Sequence, residues 1–157
     1  MKNLSKWLTT PRIVLTLEGD SFDTWVNGLV QELTTRSELT QDQARQLSQA
    51  VLSREALAST AVGRGVAIPH AYLEAISEPL VFFARAQPPL EHNAPDGVPV
   101  DLMFLLTGPP DAQSKHLKSL AKIVRLVHHQ QMLDRLRLAE NPEAVLEAIG
   151  EAERHHG

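Results

Sequence analysis

Seven histidines are spread along the 157 residues, and two of them stand where an imidazole can do chemistry. His70 closes the run Val66-Ala67-Ile68-Pro69-His70, which places it in the loop leaving a short strand. Pro69 fixes its own φ and offers no N–H, so it stiffens the backbone that carries the ring. A histidine nucleophile needs a neutral ring with one nitrogen free to attack and the other held by an acceptor. The bland alternative for His70 is a surface histidine at a strand end. His116 falls near the start of a predicted helix after Pro109-Pro110, where free backbone N–H groups and the helix dipole favour an anion. With Ser114 and Lys115 it makes a cluster suited to a phosphoryl group; an exposed polar helix start is the alternative.

Arg54 sits at the end of another predicted helix, in Ser53-Arg54-Glu55. Its guanidinium can neutralise a phosphate through a fixed fork of donors, or simply complement the negative end of the helix. Ser59 and Thr60 add hydroxyls just upstream of the His70 loop, although small polar residues there also serve turns. Other chemistries find no support. There is no H-E-x-x-H, and the histidines lack zinc-ligand spacing. His128 and His129 are adjacent and so point to different helix faces. Gly63-Arg64-Gly65 is too short for a nucleotide-binding loop, and no G-x-S-x-G elbow is present. No cofactor or metal is called for.

The elements that must position these residues follow from periodicity. Arg12–Leu17 is β-branched and compact, which predicts a strand. Phe22, Trp25, Val26, Leu29, Val30 and Leu33 repeat at three and four, predicting a helix capped at Asp20-Ser21. Thr40 with Gln43 forms a capping-box pattern ahead of a second helix with the stripe Ala44, Leu47, Ala50 and Val51. Two strands are expected at Leu80–Ala86 and Val98–Leu106, with a turn region at Pro88–Gly97 between them. A helix then follows with an apolar stripe of Leu117, Leu120, Ala121, Val124 and Val127. Met132, Leu133 and Leu136 suggest a shorter helix, and Asn141-Pro142 starts a last one. This order predicts one α/β domain over residues 1–150, a mixed sheet flanked by helices on both sides, with 151–157 as a flexible tail.

Composition agrees with a single globular domain: 43% hydrophobic and 22% charged residues. A net charge of -4 argues against a nucleic-acid binder. The absence of cysteine excludes disulfide and thiolate chemistry. No apolar run is long enough to span a bilayer, and the polar start at Met1–Trp7 lacks a signal-peptide core. A cytoplasmic protein without direct membrane insertion is the expectation.

Ser53-Arg54-Glu55-Ala56-Leu57-Ala58-Ser59-Thr60, followed by Gly63-Arg64-Gly65-Val66-Ala67-Ile68-Pro69-His70, resembles the IIA components of the fructose/mannitol type in the bacterial phosphoenolpyruvate-dependent phosphotransferase system, nitrogen-regulatory branch included. The resemblance continues through Pro99–Leu106, the helix near His116-Leu117-Lys118-Ser119-Leu120-Ala121, and the helix after Asn141-Pro142. It implies that His70 carries a phosphoryl group, that His116 assists at the same site and that Arg54 supports it, with Thr60, Ser59 and Ser114 as weaker phosphoryl contacts. The implied donor is a histidine-containing phosphocarrier protein or its nitrogen-branch paralogue. The acceptor or partner is a IIB component or a regulated target protein. Three roles are compatible with the resemblance: a stand-alone regulator, which the lack of attached transport domains favours, a sugar-transport relay, and a non-transferring sensor. Two departures stand out. Ala71-Tyr72 follows the histidine where the family often has glycine, and the proline-containing segment Thr107–Ser114 replaces its common acidic loop.

Overall fold

A computed structural model describes residues 4–156. Six strands form one mixed sheet: β1 (Ile13–Glu18), β2 (Ala61–Gly63), β3 (Val66–Ala67), β4 (His70–Tyr72), β5 (Leu80–Leu90) and β6 (Val100–Gly108). The path across it runs β1-β5-β6-β3-β2, with β4 also on β6. β1 lies parallel to β5, β5 antiparallel to β6, and both β3 and β4 parallel to β6. β3 and β4 are two pieces of one line along the same edge of β6. Val66 opposes Leu102, and His70 opposes Leu106.

Alternation along the strands divides the core into two layers. On one face Phe82, Ala84, Met103 and Leu105 pack under α1 (Phe22–Thr35) and α2 (Gln41–Leu57). On the other, Val81, Phe83, Leu102, Phe104 and Leu106 pack under α3 (Gln113–Leu126), α4 (Gln130–Leu138) and α5 (Pro142–His156). The single α/β layer arrangement expected from the element order is what forms. Its helix entries are the predicted ones: Ser21 accepts from the Thr24 N–H, and Thr40 and Gln43 cap each other reciprocally. Asn141 Oδ1 accepts from the Ala144 N–H at 2.8 Å. In α2 the buried stripe includes Ser48 rather than Ala50, because Asn27 on α1 supplies a partner for the serine hydroxyl.

Four readings from sequence are corrected. The small-residue stretch before His70 is a hairpin, β2–β3, turned by Arg64 and Gly65, both at positive φ. His70 opens β4 rather than lying in a loop, because β6 continues past Leu106 and offers it a partner. β5 runs on through Pro88 and Pro89 to Leu90. The ladder to β6 is interrupted between Arg85 and Leu90, so the prolines remove no paired N–H. The buried face of α3 is rotated from the predicted stripe: His116, Ser119, Lys122, Ile123 and Leu126 are inside, while Leu117 is 61% exposed.

Lys122 bears on that rotation and on a fifth correction, at the C-terminus. Its ammonium meets Glu153 at 2.9 Å with both side chains almost fully buried, and Glu153 also accepts the Leu4 N–H at 3.0 Å. Residues 151–156 therefore continue α5 as a packed helix, with Ala152 in the core, instead of a flexible tail. Glu153→Ala would strand a buried cation from its carboxylate, with an expected cost of about 3 kcal/mol. Urea unfolding reads this as a lower midpoint at unchanged slope. A change within about 0.5 kcal/mol, the range of surface substitutions, would return this segment to a tail.

Candidate functional site

Pro69 is the pivot of the site. It sits between β3 and β4, and its carbonyl accepts the Leu106 N–H at 3.0 Å, so β6 still registers the chain across the break. The Ile68 N–H goes back to Thr60 O at 3.0 Å. The Ile68 carbonyl receives the His70 ring, with Nδ1 at 3.0 Å. A backbone carbonyl can only accept, so Nδ1 carries the proton and Nε2 keeps its lone pair. That is the ring state a nucleophilic histidine requires. His70 is itself partly exposed.

His70 and Tyr72 lie two apart on β4 and so face the same side of the sheet. His116 from α3 comes down onto that side. Its Nδ1 is 2.9 Å from the Tyr72 hydroxyl, and the two rings are tilted with centroids 5.4 Å apart. Trp7 closes over His116 edge-on at 5.5 Å, held by the N-terminal turn whose Leu4 and Leu8 are fully buried. His116 is consequently 1% exposed, which corrects the expectation of an accessible helix-start histidine. Burial, then the nearby His70, pushes its pKa down to about 4, so it is neutral at neutral pH. Burial also pushes the Tyr72 phenol up to about 12 and keeps its proton on.

Among the described residues, two buried side-chain polar atoms have no hydrogen-bond partner: His116 Nε2 and Thr107 Oγ1. Thr107 opposes Ala71, between His70 and Tyr72 in register. Thr107 therefore shares the Ala71 face of the sheet, opposite to His70, Tyr72 and His116. On the His70 face, His116 Nε2 costs about 1–3 kcal/mol if nothing meets it, which makes it a position open to another polar group.

The remaining sequence candidates have hydrogen-bond partners of their own. Arg54 Nη1 donates to the Ala58 carbonyl at 2.9 Å, at the end of α2. Thr60 Oγ1 donates to the Glu55 carboxylate, which also takes the Thr60 N–H at 2.7 Å and the His92 ring at 2.7 Å. Ser59 donates to the His92 carbonyl. Ser114 donates to the Asp111 carbonyl at 3.3 Å on the exposed start of α3. Sequence reasoning missed Tyr72 and Trp7. Tyr72 had a visible signal, its i+2 spacing from His70. Trp7 had none, since it reaches the site only through the N-terminal turn.

These features define an α/β domain that brings two histidines, His70 and His116, near each other at one end of its sheet. The chain belongs to the family described as "Phosphoenolpyruvate-dependent sugar phosphotransferase system, EIIA 2", whose model matches residues 7–152. It is 40% identical over 121 residues to a nitrogen regulatory protein of Bradyrhizobium diazoefficiens, covering 76% of this chain and 79% of that one. A nitrogen regulatory protein of Pseudomonas aeruginosa is 33% identical, over 95% of this chain and 96% of its own. The solved nitrogen regulatory protein IIA-Ntr of Neisseria meningitidis superposes with a TM-score of 0.81 at 29% identity, over 93% and 98% of the two chains. Among the described residues, no helix is long and apolar enough to cross a membrane.

The depressed pKa of His116 has a consequence for stability. An unfolded histidine titrates near 6.5, so the native state, which resists protonation until about 4, loses stability as pH falls from 6.5 towards 4. The loss attributable to this ring reaches about 3 kcal/mol at the lower end. His116→Gln is expected to flatten this part of the stability–pH curve. Thermal unfolding of both proteins between pH 7.5 and 4 checks it; parallel curves would refute the assignment.

Proposed function

We propose that the chain is a phosphohistidine carrier in which His70 Nε2 accepts a phosphoryl group from the phosphohistidine of a histidine phosphocarrier protein. The observation that carries this reading is the hydrogen bond from His70 Nδ1–H to the Ile68 carbonyl, which leaves Nε2 as the free nucleophile. In transfer, the Nε2 lone pair forms an N–P bond as the donor's N–P bond breaks. That electron pair returns to the donor imidazole. The phosphorylated ring carries positive charge while Nδ1 keeps its proton, so the bond to the Ile68 carbonyl strengthens as charge develops. His116 then acts as a neutral polar group inside the site, and Arg54 supplies cationic charge from the end of α2. Ser59, Thr60 and Ser114 are secondary, because each hydroxyl already has a backbone or carboxylate acceptor.

Within the family a regulatory role fits best. The two nitrogen regulatory proteins are 40% and 33% identical to this chain. The fructose-specific EIIABC component of Bacillus subtilis is 27% identical over 151 residues. We therefore favour a cytoplasmic regulator whose phosphorylation state alters its hold on a target protein. The relay to a IIB component is the alternative, as in the solved complex of mannitol IIA with phosphorylated IIB from Escherichia coli, whose likeness to this chain is one of fold.

Incubation with phosphorylated histidine phosphocarrier should give one acid-labile phosphoryl group on His70, lost in His70→Ala. Labelling that persists in His70→Ala would overturn the reading. Arg54→Gln should transfer about a hundredfold more slowly, the scale of one lost charge-stabilising donor, with little change in melting temperature. Arg54→Lys should be nearly as slow, because lysine lacks the paired planar donors. If Arg54→Lys transfers at the wild-type rate, Arg54 is only a helix-end charge.

A further inference from the structure

Ala71-Tyr72 follows His70 where the resembled family often has glycine, and Tyr72 makes a contact that the proposed reaction can use. We infer that Tyr72 is a positioning residue: its hydroxyl donates to His116 Nδ1, which fixes the proton on Nε2 and turns His116 into a neutral hydrogen-bond donor towards the phosphoryl group on His70. This inference rests on the function proposed above and concerns how that site is set.

Three observations carry it. The Tyr72 Oη to His116 Nδ1 distance is 2.9 Å, and among the described residues His116 is the hydroxyl's hydrogen-bond partner. A neutral imidazole has one donor and one acceptor nitrogen, so whichever role Nδ1 takes, Nε2 takes the other. If Nδ1 donated to Tyr72, Nε2 would be a buried lone pair without a donor, facing a site where negative charge arrives. If Tyr72 donates, the unpaired atom is an N–H, which a phosphoryl oxygen satisfies. Among the described residues His116 Nε2 is buried without a hydrogen-bond partner, and His116 lies near enough to His70 to feel its charge, so an oxygen carried on His70 could take up that N–H.

Strand geometry makes the arrangement self-consistent. His70 and Tyr72 share one face of β4, and the strand spacing holds the nucleophile and the hydroxyl at a fixed separation with His116 packed beside both. Ala71, between them, faces the other way and lies in the opposite core layer. Trp7 closes the far side of the His116 ring, which limits its rotation. The phenol therefore sets a tautomer without itself touching the reacting atoms.

Long-range proton–nitrogen correlation spectra of uniformly labelled protein report the two ring nitrogens of each histidine separately. In the wild type, His116 is expected as the Nε2–H tautomer and His70 as the Nδ1–H tautomer. In Tyr72→Phe, the His116 preference should be lost while His70 keeps its tautomer, which also shows that the variant is folded. Phosphoryl entry should slow roughly tenfold, the lower end of what an outer-shell orienting partner contributes. A wild-type His116 protonated on Nδ1 would overturn the inference. So would a Tyr72→Phe variant whose His116 tautomer or transfer rate equals the wild type's. Failure of phosphocarrier to label His70 would instead sink the proposed function, and the tautomer measurements are read without any phosphoryl transfer.

Discussion

Strand β6 has neighbours along both edges, and the site exists because the neighbour on one edge is broken. β3 and β4 occupy successive stretches of that edge, separated by Ile68 and Pro69. Proline has no N–H to give to a ladder, but the Pro69 carbonyl still accepts the Leu106 N–H. Ile68 faces away from β6: its N–H donates to Thr60 and its carbonyl accepts from the His70 ring. Regular pairing resumes at His70, which fixes the backbone that carries the ring. One interruption thus supplies an orienting acceptor and a rigid mount two residues apart. Both core layers depend on β6 as well, since its residues alternate between them.

The site reaches its chemistry through neutral groups. His116 is buried under Trp7 and beside Tyr72, which makes a charged ring unfavourable. On the proposed function, a cation there would repel the positive charge that phosphorylation would place on His70. A neutral donor would avoid that conflict and still offer a hydrogen bond to an oxyanion. The cost is an unpaired buried polar atom, His116 Nε2. Such costs persist in folded proteins where function needs the atoms free.

Neighbouring charges are tied into scaffolding instead. Glu55, next to Arg54, is almost fully buried and gathers the Thr60 backbone, the Thr60 hydroxyl and the His92 ring. His92 in turn stacks on Phe22 with centroids 4.2 Å apart. This network joins the end of α2 to the β5–β6 connection and the start of β2. The acidic half of the Arg54-Glu55 pair is therefore structural, which sequence reasoning, attending to the arginine, did not see.

Local signals in the chain determined a good deal. Ser21, the Thr40–Gln43 box and Asn141-Pro142 start helices where they were expected, because capping depends on residues within one turn. Alternation and β-branching located β1, β5 and β6 to within a few residues, and the break at Pro69-His70 lies where the sequence placed it. Tertiary structure alone decided the rest. Whether His70 ends a strand or begins one depends on β6, more than thirty residues later. The buried face of α3 carries Lys122, which meets Glu153 from α5, a partner that no spacing within α3 announces. The same contact ties residues 151–156 into the packed helix. Trp7 comes to His116 by chain topology, and no spacing along the sequence encodes it. Periodicity reports which residues share a face of one element; what stands opposite that face is settled only when the elements meet.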